Sequence, residues 1–238
     1  VTATDLPRPE LTGVTGVAET LLSPGLLAAL PENTSEAPWT VNCSAVLWTG
    51  RPTAAARAAL APQLRDSRAV VVVGGMVRYL ETPVGPYDEV FGIVMVRESL
   101  TRTFGHVAFM AVDSPASLVG GRTNWAMPKT LASFSGGVGS GRTIVARGDD
   151  DKAWEVRATP RVVGPRVPVR SKAVTRQEFP GERLGDSRLS AKGRARPAVV
   201  DVQVASDGPL AGWMRPGRHL GAVAEDVTFT LGVPRLLG

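Results

Sequence analysis

Apolar positions in this chain recur mostly every second residue, the period of a half-buried strand. Over residues 39–48, Val41, Cys43, Ala45 and Leu47 alternate with their neighbours, which predicts a first strand. Apolar runs at 69–73 and 76–80 predict strand on either side of Gly74-Gly75, a pair that marks a bulge or a close backbone approach. Further strands are expected at 87–97, 105–112, 142–147, 154–163, 197–204 and 222–231, separated by Gly- and Pro-rich turns. Helical signals are few. Leu26-Leu27-Ala28-Ala29-Leu30 predicts one or two turns stopped by Pro31. Thr49 is placed as the cap of a helix that has Pro52 in its first turn and runs through 54–60 until Pro62, and 210–214 predicts a single turn. The pattern points to a mainly β, α+β protein: an antiparallel sheet or barrel with a few short helices. No repeat or linker divides it. Residues 1–38 read as an N-terminal extension with a short helix, and 39–238 as a single domain.

Composition narrows the function classes. A chain of 238 residues can bury a full core without staples. Its net charge of +5 raises the question of nucleic acid. Much of the excess lies between Arg157 and Arg196, but that stretch is interleaved with Glu178, Glu182 and Asp186 and carries one aromatic, Phe179. Single-strand binders need stacking platforms among their cations, and no helix-turn-helix or zinc-finger spacing is present. The segment therefore reads as a solvated arginine-rich surface, with no nucleic-acid partner. No apolar run approaches the roughly 20 residues of a membrane span, so no membrane partner is expected. Residues 1–10 lack a signal-peptide pattern, and the single cysteine, Cys43, excludes an internal disulfide; both point to a cytoplasmic protein.

Cofactor and metal motifs are missing. Gly136-Gly137-Val138-Gly139-Ser140-Gly141-Arg142 lacks the ending of a phosphate loop and reads as a hairpin turn. His106 and His219 have no ligand spacing, although His106 could sit near a pocket. Asp149-Asp150-Asp151 reads as a solvent-facing turn and Cys43 as a buried small residue.

One side chain stands apart. Against 23 arginines the chain has four lysines, and Lys129 alone has no charged neighbour closer than Arg122. A lysine attacks carbonyls only as the free amine, and its ordinary pKa of about 10.4 requires the site to destabilise the ammonium. Trp125, Met127, Leu131 and the run Phe109-Met110-Ala111 would desolvate it. The bland alternative is a packed stem with its head in water.

The residues around Lys129 resemble a family. Val112-Asp113-Ser114-Pro115, followed by Gly121-Arg122 and by Met127-Pro128-Lys129, is similar to acetoacetate decarboxylase and its wider superfamily. That pattern has an apolar strand, a small-residue turn, Gly-Arg, and Pro-Lys seven residues after the arginine. Gly85-Pro86-Tyr87-Asp88-Glu89-Val90 resembles the family's Gly-x-Tyr-x-Glu strand, and the resemblance spans residues 39–231. It implies the family's antiparallel β-barrel or sheet. It places Lys129 on the Schiff-base lysine and Glu89 on the acidic proton shuttle. Met110, Arg122, Trp125 and Tyr87 are expected to contact substrate, Arg122 with a structural part as well. A small-molecule carbonyl substrate, no cofactor, no metal and a homo-oligomer with covered sheet edges follow from the same resemblance.

Three departures stand out. The second lysine after the nucleophile is Thr130, the first-strand arginine is missing from Trp39-Thr40-Val41-Asn42-Cys43, and a second glutamate is replaced by Gly74. Arg78 or Arg122 would have to meet a substrate carboxylate instead. The expectation is a lyase acting on a carbonyl compound, as decarboxylase or as aldolase, dehydratase or cyclase. The alternatives are acid/base work by Glu89 on a polyketide-like substrate without a covalent bond, and a small-molecule binding protein.

Overall fold

The computed structural model describes residues 9–148 and 153–237; Asp149-Asp150-Asp151 lies outside them. Strand β1 (Trp39–Gly50) follows the predicted alternation, so that Trp39, Val41, Cys43 and Ala45 bury on one face while Val46 and Trp48 bury on the other. Because β1 runs on to Gly50, Thr49 caps nothing. The cap of helix α3 (Ala54–Ala58; α1 is Pro9–Thr12 and α2 Pro24–Ala29) is Thr53, whose hydroxyl accepts from the Ala56 amide.

The next strands are β2 (Arg68–Glu81), β3 (Tyr87–Arg97) and β4 (Thr103–Val112). β2 is continuous, and Gly74-Gly75 is a close approach rather than a bulge. A β-carbon at Gly74 would overlap the Trp48 ring and one at Gly75 the Phe91 ring, while the register shifts fall elsewhere in the strand. Helix α4 (Pro115–Trp125) then leads into β5 (Lys129–Gly136), β6 (Ile144–Gly148) and β7 (Trp154–Val162). The glycine-rich stretch expected as a hairpin turn joins β5 to β6.

Between residues 164 and 196 the structure holds two strands that the apolar pattern does not announce. They are β8 (Val167–Phe179) and the first half of β9 (Arg183–Ser206), paired along their length. Residues 167–173 are exposed on both faces, so no apolar alternation marks them. Helix α5 (Leu210–Trp213), β10 (Gly217–Leu231) and β11 (Arg235–Leu236) complete the order.

The sheet runs β10-β1-β2-β3-β4-β5-β6-β7-β9-β11, and β10 also pairs with β9, so it curls back on itself. All pairings are antiparallel except β4–β5 and β4–β8. Of the expected sheet or barrel, the structure shows a curled, branched sheet: β9 is long enough to pair with β8 and then β7 along one edge and with β11 and then β10 along the other, and β8 leaves the path to touch β4 through one rung, Gly105–Thr175. Gln177 extends that thin seam by bonding both the amide and the carbonyl of Val107. Two cores result. One gathers around Trp48, Met76, Phe109 and Trp213, the other around Trp39, Tyr79, Met110 and Trp125. Among the described residues no helix is long and apolar enough to cross a membrane.

Candidate active site

The second core encloses a cavity of about 260 Å³ lined mainly by apolar and aromatic side chains. Lys129, first residue of β5, lies beside Met110 of β4 in parallel register, and its side chain enters the cavity. Glu89 comes from β3. Lys129 Nζ donates to Glu89 Oε2 at 2.8 Å and to Ser117 Oγ at 2.9 Å, and Tyr79 donates to Glu89 Oε1 at 3.0 Å. The Tyr87 ring centroid lies 5.2 Å from Nζ. Both charged side chains are almost fully enclosed, at 5% and 3% exposure.

Helix α4 shapes the pocket behind the ammonium. Ser114 caps it by accepting from the Ser117 amide, Pro115 occupies the first turn, and Ala126 ends it in the left-handed region at φ 50°. The two mid-helix glycines permit close approach: a β-carbon at Gly120 would overlap Trp39, and one at Gly121 the aliphatic stem of Lys129. Most of the helix is buried, so it lacks the amphipathic stripe that would announce it in the sequence.

Electrostatics in this enclosure are set by competition. Burial pulls the Lys129 pKa down, but the Glu89 carboxylate and the Tyr87 hydroxyl outweigh it, and the result lies above the ordinary lysine value. The free site therefore holds an ammonium against a carboxylate. Burial, then Glu89, pushes the Cys43 thiol up to about 12 and the Tyr79 phenol well above its usual range. Both stay neutral, and Tyr79 acts as a fixed donor to Glu89.

Lys129, Glu89, Met110, Trp125 and Tyr87 all line this one cavity. Arg122 does not. Its buried guanidinium donates to the backbone carbonyls of Lys129, Leu11 and Thr20, and burial lowers its pKa to about 10. Arg78 is also committed elsewhere, in a two-pronged pair with Asp88 at 2.9 and 2.7 Å. Sequence reasoning missed Ser117 and Tyr79. Tyr79 was accessible, since it shares the inward alternation of β2 with Val77; Ser117 becomes visible only once Ser114-Pro115 is recognised as a helix start.

His106 is fully buried but lies outside the cavity lining, with Nδ1 2.9 Å from the Arg176 carbonyl. Burial depresses its pKa from 6.5 to about 4, so the unfolded chain binds the extra proton first as pH falls. Its contribution to stability is complete above pH 6.5 and is lost between there and pH 4, by about 3 kcal/mol. Urea unfolding across that window should show a shallower acid limb for His106→Gln; an equally steep limb would assign the acid sensitivity to other groups. Among the described residues no group of three metal-ligating side chains exists.

A buried lysine–carboxylate pair thus lies on the floor of an apolar cavity inside a curled and largely antiparallel sheet. The acetoacetate decarboxylase family profile matches residues 29–180, and the chain belongs to that family. Members of that superfamily act on carbonyl compounds. No curated protein matches the sequence significantly. The fold is similar to acetoacetate decarboxylase from Legionella pneumophila, at 16% identity over 85% of this chain and 88% of that one, with a TM-score of 0.66. It is also similar to the enduracididine biosynthesis enzyme MppR complexed with the condensation product of pyruvate and imidazole 4-carboxaldehyde, at 17% identity over 85% and 90%, TM-score 0.61. An acetoacetate decarboxylase-like enzyme from Sphingomonas wittichii shows 12% identity over 86% and 94%, TM-score 0.56.

Proposed function

We propose that this protein is a lyase-type enzyme whose Lys129 forms an iminium with a carbonyl substrate. The observation that carries this reading is the 2.8 Å contact between Lys129 Nζ and Glu89 Oε2 on the floor of an enclosed apolar cavity. A carbonyl group entering there leaves bulk water for an apolar enclosure and meets a donor already paired with its base. Glu89 Oε2 takes a proton from the ammonium, and the freed amine attacks the carbonyl carbon. The carbonyl π electrons move to oxygen, which recovers the proton from Glu89 to give a carbinolamine. The nitrogen gives its second proton to Glu89, which passes it to the departing hydroxyl; water leaves and the iminium forms, an electron sink for a bond made or broken at the adjacent carbon. Glu89 then moves the proton at that carbon.

The charge content of the cavity favours condensation, dehydration or cyclisation over decarboxylation. Lys129 is the sole cation among the described residues lining it, and Glu89 already neutralises it. A substrate carboxylate would add a second, unpaired anion beside Glu89, which is costly in a dry site. A fold relative that binds a condensation product is consistent with this direction.

A second reading draws on the raised Lys129 pKa: the ammonium stays protonated and polarises the carbonyl, while Glu89 does acid/base work without a covalent bond. Borohydride reduction in the presence of small ketones, aldehydes and keto acids separates the two. The iminium reading expects a substrate-sized mass on Lys129, still formed though more slowly in Glu89→Gln. Absence of any adduct, with turnover abolished in Glu89→Gln, would replace it by the second reading.

A further inference from the structure

The cavity mouth carries a charge arrangement that this chemistry leaves unused. The contacts of β8 with β4, the rung Gly105–Thr175 and the bonds of Arg176 and Gln177, all lie at or beyond Thr175, so residues 167–173 form a free edge, exposed throughout. Ser171, on that edge, is the one exposed side chain among the described residues lining the cavity, which makes the edge the lip of the mouth. Its neighbours Arg170 and Lys172 project from the opposite face of that edge strand, where they share an open groove with Ser190 and Lys192 of β9, so a molecule reaching from the groove into the cavity crosses the β8 edge. Arg170 stands directly opposite Lys192 in the ladder, and like charges there repel. None of these three cations has an ion-pair partner among the described residues.

A bound anion relieves such a repulsion. Negative charge is thus welcome at the lip and unwelcome on the floor, where Glu89 already stands beside Lys129. A β-keto acid has its carboxylate only one carbon away from its carbonyl and cannot satisfy both places. The substrate must hold its charge far from the reacting carbon and be apolar in between.

We propose that it is a keto-bearing chain on a phosphate-bearing handle, of the coenzyme A thioester class. The phosphates lie on Arg170, Lys172 and Lys192, and the keto group reaches Lys129. This rests on the iminium reading of Lys129. In the covalent step the ketone carbon bonds to Nζ and its oxygen leaves as water; the thioester and phosphates are untouched.

The test compares acetoacetyl-coenzyme A with the N-acetylcysteamine thioester of the same acyl group, which lacks phosphate, and with butanone. Labelling of Lys129 must require borohydride, which distinguishes a reduced iminium from direct acylation. At low salt the coenzyme A ester should reach half-maximal labelling at a concentration about tenfold lower than the short thioester, or better. That ratio should fall towards one in Arg170→Glu and Lys192→Glu, both exposed positions, and in high salt. Equal half-maximal concentrations, a ratio that survives both reversals, or labelling by butanone but by neither ester would each overturn the handle subsite and leave the lysine chemistry standing. No labelling by any probe would remove the iminium reading itself.

Discussion

Lys129→Met is expected to abolish borohydride-dependent labelling and turnover, and to cost about 3–5 kcal/mol of stability as well. The loss of activity follows from removing the only amine in the cavity. The loss of stability follows from what remains: Glu89, at 3% exposure, would lose its cationic partner and keep Tyr79 as its donor. Removing one partner of a buried pair costs far more than removing both. Lys129→Met combined with Glu89→Gln should therefore recover most of the stability and none of the activity. Urea unfolding of the two single variants and the double variant closes the cycle. The pH dependence has a definite sign. Because the folded-state pKa of Lys129 is raised, the pair's contribution is complete below the ordinary lysine value of 10.5 and disappears only as pH rises through the folded value. A Lys129→Met protein as stable as its parent at pH 7 would mean that the Lys129–Glu89 contact contributes nothing to the stability of the fold.

Both partners of this pair could be found in the sequence, for different reasons. Lys129 stood out because it lacks charged neighbours in a chain of arginines, which is a property of the local string. Glu89 did not stand out by itself; the family resemblance was needed to bring it to the same floor, 40 residues away. Residues that escaped are those whose surroundings are buried on every side or exposed on every side. Helix α4 is buried around most of its circumference, so no stripe of polar residues outlines it, and Ser117 was lost with it. The β8 edge fails in the opposite way. With both faces wet from 167 to 173, its backbone pairing is dictated by β9 rather than by any burial of its own side chains. The choice between sheet and barrel was left open for a related reason. Strand count and alternation say nothing of a strand such as β9, whose successive segments pair with different neighbours.

Arg122 illustrates how a motif residue can matter without touching the cavity, and its replacement should have the second large effect. Its Nε donates to the Lys129 carbonyl at 2.6 Å, and its two terminal nitrogens reach the carbonyls of Leu11 and Thr20. One planar fork thus ties the N-terminal segment to the backbone of Lys129. A lysine ammonium is a point donor and cannot meet three carbonyls lying in the directions of the fork. Arg122→Lys should therefore leave buried carbonyls unmet and cost about 3 kcal/mol or more. Two further readouts separate this role from generic damage. Amide exchange should speed up selectively around residues 11–20, and the maximal rate of iminium trapping should drop more than the half-saturating substrate concentration rises, because the nucleophile is misplaced while the cavity wall is intact. Trapping that weakens only through poorer substrate binding would instead place Arg122 among the residues that contact the substrate. An Arg122→Lys protein with parental stability and parental exchange at residues 11–20 would show that water, rather than the guanidinium, satisfies those carbonyls.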